Sequence, residues 1–376
     1  MRGVMSDHRT KRKRGFSLLE MTIAMALGTI VLGAAVSIYI QGVNATWTVT
    51  QRAEMQQDFR AASNLLKNDL SLAGAGLGNG AAIQLPTSAT LPVYGCDQTP
   101  TCYINGGSLT YPVQGTTPYL YGLLPGYNKG PTVNTMPTDT VTVIYTDSSF
   151  YLNCYTATVT NSTTVTFSLP SPLTCTLPSG VSTPQNVNDS SVGLTAGDLV
   201  WFSFSPNVVA EVTGVSGSVV TFAASDPLKM NQATVNNSLS KQTTGVTGTA
   251  YRLLVITYYL DNSVNPARLM RQISGHTPMP VAENIVYLKF TYDLFNPTTN
   301  SPATNCSNPG AVTDGCTVAG SSTGLLPNQI TKINIQNMAI DSSQSGGHFG
   351  QSAYQRLDLQ TSVSARNLTY VNNYPN

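Results

Sequence analysis

The stretch Lys11-Arg12-Lys13-Arg14-Gly15-Phe16-Ser17-Leu18-Leu19-Glu20 is followed, from Met21 to Ile40, by a run without a charged residue. An apolar run of about 20 residues can cross a hydrocarbon core near 30 Å thick as a helix. By the positive-inside rule the basic cluster stays in the cytoplasm, which sends the rest of the chain to the periplasmic side. A secretory signal would carry its cleavage site after the apolar run, among small residues. Here the run leads into Gln41-Gly42-Val43-Asn44-Ala45-Thr46-Trp47, and the helical pattern goes on. Glu20 is the one charge at the mouth of the run. A carboxylate costs about 2.5–3.5 kcal/mol at the centre of a membrane helix and less near an interface. It therefore either stays wet at headgroup level or pairs with a positive group from another subunit.

Beyond Gln41 the pattern becomes amphipathic without a proline. Met55, Phe59, Ala62, Leu66, Leu70 and Ala73 recur every three or four residues, which is one face of a helix. Gln51, Arg52, Gln56, Gln57, Arg60 and Asn64 occupy the other faces, and Gly74, Gly76, Gly78 and Gly80 end it. A single helix from Phe16 to Leu72 would be about 85 Å long at about 1.5 Å per residue. The rest reads as β-structure. Runs rich in Val, Ile, Thr, Tyr and Phe cover 140–145, 156–167, 198–204, 208–213, 218–222, 252–260, 285–292, 330–338 and 357–364, separated by Gly, Pro, Asn and Ser. Residues 212–222, with Gly214 and Gly217 at their centre, read as a hairpin. The expected fold class is α+β, a long N-terminal helix packed on a β-rich globular head.

Gly15-Phe16-Ser17-Leu18-Leu19-Glu20-Met21-Thr22-Ile23-Ala24-Met25 resembles the class III signal of type IV pilins and type II secretion pseudopilins. The resemblance implies that a prepilin peptidase cuts between Gly15 and Phe16 and methylates the new N-terminal amine of Phe16. It also implies that Glu20 acts in filament assembly and that the apolar helix is kept. Further along, Asn68-Asp69-Leu70-Ser71-Leu72-Ala73-Gly74, the segment from Ile256 to Asp293 and Val363-Ser364-Ala365-Arg366-Asn367-Leu368 are similar, in order, to features of PilW-like minor pilins. Asp69-Leu70-Ser71 departs from that family's pattern, which has an Arg after the Leu.

The totals suit this picture. Charged residues are 10% of the 376, against roughly 25% in an average soluble domain. Hydrophobic residues still reach 41%, so the chain is not of the disordered class. Beyond residue 15, 13 basic residues face 17 acidic ones. The basic residues there are scattered, and no direct nucleic-acid site is evident. The six cysteines fall in neighbouring pairs, Cys96/Cys102, Cys154/Cys175 and Cys306/Cys316, which reads as three local disulfides in an oxidising compartment. Free thiols remain open, and neighbour pairing is one of 15 connectivities. Catalytic motifs, metal-ligand spacing and cofactor fingerprints are absent, so neither an enzyme, nor a metal, nor a cofactor is expected.

The expected division is a cytoplasmic leader at 1–15, removed on maturation, then a membrane and filament-core helix at 16–43. The amphipathic half of the helix follows at 44–80, a β-rich insertion at 81–205 and a β-rich pilin-like head at 206–376. The resemblance implies a minor pilin that primes, caps or decorates a type IV pilus serving adhesion, twitching motility or DNA uptake. It would sit in the bacterial inner membrane with its head in the periplasm and then in the extracellular filament. Partners would be other pilins or minor pilins, the prepilin peptidase, the inner-membrane assembly platform and the lipid bilayer. The alternatives are a J-type minor pseudopilin of type II secretion and a tip-located adhesin module.

Overall fold

The structure, a computed structural model, describes residues 15, 17–78, 82–86, 93–98, 109–114, 117–232, 237–312, 315–318, 324–342 and 356–368. Its first element is an α-helix over Leu18–Ser71. Ser17 caps it reciprocally: its Oγ accepts the Leu19 N–H at 3.3 Å, and its own N–H donates to Glu20 Oε2 at 3.1 Å. Two donors that a helix start leaves unpaired are satisfied in this way. The chain divides into two compact units, and the boundary, between Glu54 and Met55, falls within this helix.

In the first unit the side chains from Leu18 to Val43 are exposed. Hydroxyls in this stretch bond to the helix's own carbonyls: Thr22 donates to Leu19 at 2.9 Å and Thr29 to Ala26 at 2.8 Å. An apolar surface with its polar groups satisfied internally suits hydrocarbon surroundings.

In the second unit the helix buries Met55, Phe59, Ala62, Ser63, Leu66, Asp69 and Leu70, the apolar face that the spacing predicts. It ends at a glycine turn. Gly76 has φ +72°, and a Cβ there would lie 1.7 Å from Thr146 Oγ1, so neither the conformation nor the space admits a side chain.

The helix packs on a sheet organised around the 15-residue strand Thr247–Asp261. Along one edge that strand pairs with Thr156–Asn161 and then Thr140–Thr146; along the other, with Leu199–Phe202 and then Arg268–Ile273. All pairings are antiparallel. Residues 255–260 are continuously buried, as expected of a strand covered on both faces. A four-stranded sheet, in the order Ser301–Cys306, Ile285–Asn296, Ile330–Asp341, Arg356–Ser364, completes the main core. A second core gathers Phe150, Phe167, Phe202, Phe204 and Phe222 with Val208 and Ala210. It spans position 205, and the strands on either side of that position, Leu199–Phe202 and Val208–Glu211, pair with each other. The 212–222 hairpin turns at Gly217, φ +59°, between Gly214–Ser216 and Val219–Thr221.

Two disulfides staple loops of this unit, Cys154–Cys175 and Cys306–Cys316. Cys96 is also disulfide-bonded; its expected partner, Cys102, lies outside the described residues. Asp139, buried, accepts the Asn128 N–H at 2.8 Å, the Lys289 Nζ at 2.7 Å and the Phe290 N–H at 3.0 Å. It thereby ties the 123–146 hairpin to the four-stranded sheet.

Candidate functional site

Three places carry side chains whose arrangement asks for an account: the start of the helix, the junction between the helix and the long strand, and the buried Glu211–Asp226 pair. At the first, Gly15 is exposed, with nothing within 4 Å of where a Cβ would stand. Phe16 lies outside the described residues. Glu20 is exposed in the first helical turn, and among the described residues its hydrogen-bond partner is the Ser17 N–H. Leu18, Leu19, Met21, Ile23, Met25 and Leu27 around it are all more than half exposed, so this carboxylate stands at the head of an apolar surface. By length and composition the helix can cross a membrane.

At the junction, Asp69 is turned into the core with a side-chain exposure of 3%. Its Oδ2 accepts the Tyr258 hydroxyl at 2.6 Å and the Arg271 Nε–H at 2.8 Å, and Arg271 Nε also lies 3.2 Å from the Tyr258 oxygen. The three groups come from the helix and from two adjacent strands. Burial pushes the Tyr258 phenol far up, and the hydrogen bond to Asp69 adds to this. Burial alone would lower Arg271, but its bonds to Asp69 and Tyr258 outweigh that and raise it. A buried charge triad satisfied in this manner costs little while whole and much when one member is removed.

Nearby, Arg252 donates through Nε to Asp147 at 2.9 Å and through Nη1 to the carbonyls of Val192 and Gly193. Asp147 would be raised by burial, but bonds from Ser149 and Arg252 hold it below the usual carboxylate range. Asp198 accepts the Thr195 N–H at 2.9 Å and faces His276 Nε2 at 3.0 Å.

A third group, Glu211 with Asp226, is buried beneath the 223–232 loop. Glu211 accepts from the Leu228 N–H at 3.0 Å and Gln98 Nε2 at 2.5 Å; Asp226 accepts the Asn231 N–H at 3.1 Å. Burial drives both carboxyls up, and each bears on the other.

Neither the Asp69 triad nor the Glu211 pair was read from the sequence as a site. Asp69 had a signal: it stands at the three-and-four spacing of the apolar face, between Leu66 and Ala73, where an acid is out of place unless paired. Glu211 and Asp226 have none: Glu211 draws its partners from two separate segments, at Gln98 and Leu228, and Asp226 bonds the Met230 and Asn231 N–H groups of its own loop, as a turn acid ordinarily does.

Residues 10–36 match the family described as the prokaryotic N-terminal methylation motif. That motif indicates a type IV pilin-like or pseudopilin protein, whose precursor is processed by prepilin peptidase and anchored through its apolar helix. No curated protein and no solved structure matches the chain.

Proposed function

We propose that this chain is a minor pilin of a type IV pilus, a structural subunit without catalytic activity, held first in the bacterial inner membrane with its head in the periplasm and then in the filament. The observation that carries this reading is the methylation motif set directly on an exposed apolar helix that continues into the core of a large β-rich unit. Three segments similar to PilW-like minor pilins also support it, because they meet at one place. Asp69 bonds Tyr258 and Arg271, and Asn367 Nδ2 donates to the Ser71 carbonyl at 3.4 Å.

In this reading, cleavage after Gly15 creates an α-amine on Phe16, and the Glu20 carboxylate of a neighbouring subunit accepts it. Between packed apolar helices neither charge is hydrated, so each stabilises the other more than it would at a wet surface. The pairing would set the axial register of the incoming subunit.

Intact-mass analysis of membrane-extracted protein tests the processing: the expected chain begins at N-methylated Phe16, and a mature terminus beyond residue 40 refutes the reading. Quantifying the protein in sheared pili, and counting pili after deletion of its gene, tests the role. Normal piliation with loss of exoprotein secretion would assign the chain to type II secretion instead.

A further inference from the structure

A pocket of about 600 Å³ lies between the second half of the helix and the sheet, within the usual range of about 300–1,000 Å³ for small-ligand sites. Its walls are apolar, from Ala61, Leu65, Leu254, Ile273 and Val281, and Arg271, His276 and Thr277 reach it along one short segment. Arg271 is held through its Nε, by Asp69 and Tyr258. Among the described residues its two Nη groups and the Thr277 hydroxyl have no hydrogen-bond partner. The guanidinium is thus fixed at one corner with four N–H donors left over, a pre-organised arrangement for a planar oxyanion.

The acids around the pocket do not compete for that role. Asp69, Asp147 and Asp198 have side chains only 3%, 8% and 9% exposed, already engaged by Arg271, by Arg252 and by the Thr195 N–H with His276, whereas Arg271 and His276 are 21% and 35% exposed. An entering molecule therefore meets the basic atoms first.

We propose that this pocket binds a small organic carboxylate with an apolar body, its carboxylate on the free Nη groups of Arg271 and its body against Leu65, Leu254 and Val281. The site does not depend on the role of the N-terminal helix in assembly. Apolar walls alone would take an uncharged molecule of the same shape equally well; the unpaired donors make the charge matter.

Calorimetry of the full-length chain in nanodiscs of zwitterionic lipid tests it, with 4-phenylbutyrate as the probe and 4-phenylbutanamide as its neutral counterpart. Empty nanodiscs give the lipid background. Saturable one-site binding of the acid is expected, with the amide at least about tenfold weaker, since each tenfold step is one charge-assisted hydrogen bond or less. Leu65→Trp, at a partly exposed helix position outside the Asp69 triad, should fill the pocket and abolish binding while thermal unfolding stays unchanged. Arg271→Lys, which keeps the charge but not the fork, should weaken the acid and leave the amide as it was. The proposal is overturned by no saturation up to about 10 mM acid, where affinity is weaker than ordinary recognition requires. Equal affinity for acid and amide, or unaltered binding to a folded Leu65→Trp protein, overturns it as well.

Discussion

Glu20 and Asp69 are both carboxylates on the same helix, and their surroundings give them opposite tasks. Glu20 is exposed, and among the described residues its hydrogen-bond partner is the Ser17 N–H. It is available to a second chain, so Glu20→Ala should leave membrane insertion, cleavage and folding intact and still lower the amount of protein in sheared filaments relative to membranes. Undiminished incorporation would show that no intersubunit pair forms. Asp69 is committed internally. Asp69→Ala strands Arg271 and Tyr258 in the core and should destabilise the second unit by about 3–5 kcal/mol. The paired change Asp69→Leu with Arg271→Met should recover much of that loss, since both charges leave together. Thermal unfolding of purified protein compares the two; equal losses would mean that the triad acts through shape alone. The contrast also marks what a sequence can reveal. Glu20 stands within a contiguous motif and was readable at once. Asp69 is defined by partners 189 and 202 residues away: its place on the apolar face signals that it must be paired, but no local pattern names the partners.

For single elements, the helix was readable because its period is short and unbroken. The face through Met55, Phe59, Ala62, Leu66 and Leu70 is the face that is buried. Leu66 is wholly buried, whereas its neighbour Leu65 is 37% exposed. Leu66→Ala should therefore cost about 2–5 kcal/mol, and Leu65→Ala within about 0.5 kcal/mol. Equal costs in thermal melts would place the helix in a different rotation. The strands were located well at their centres and poorly in their reach. Thr247–Asp261 and Ile285–Asn296 both run beyond the apolar cores that announced them, because polar residues such as Thr247, Asp293 and Asn296 gain their strand geometry from neighbours, not from propensity. The Cys154–Cys175 and Cys306–Cys316 disulfides close loops between residues near in sequence. On the chain-entropy account each contributes about 3 kcal/mol, so a reducing agent should lower the unfolding midpoint without altering the N-terminal processing.

At the scale of the whole second unit, the buried Glu211 and Asp226 make stability depend on pH in an unusual sense. Burial raises both carboxyls above their unfolded values, so over the interval between, the folded state holds more protons than the unfolded one. Stability is then greatest near the unfolded carboxylate range and falls as pH rises, at up to about 1.4 kcal/mol per unit for each group. Paired acids such as Asp147, held low by Ser149 and Arg252 despite burial, act the other way, but only at the acidic end. Melts across neutral and mildly alkaline pH should show a declining midpoint, and Glu211→Gln should flatten the decline; a midpoint that rises with pH would contradict this assignment. Topology at this scale was the least readable. The same sheet takes strands from both sides of residue 205, and the core of phenylalanines is shared across it, since composition says which segments are strands but not which of them adjoin.

The long strand Thr247–Asp261 has a further consequence, in the order of synthesis. Thr140–Thr146 and Leu199–Phe202 pair with it over most of their length, and Thr156–Asn161 over its first three residues. The first of these is made about 100 residues earlier, and at roughly 5–20 residues per second it stays without that partner for about 5–20 s. Unpaired strand edges rich in Val and Ile are templates for aggregation. A chain stopped after Gly245 would hold those strands indefinitely in that state, and should be recovered from the cell as insoluble or degraded material although most of its strands are present. The full-length nascent chain depends, over the same interval, on whatever keeps its edges apart.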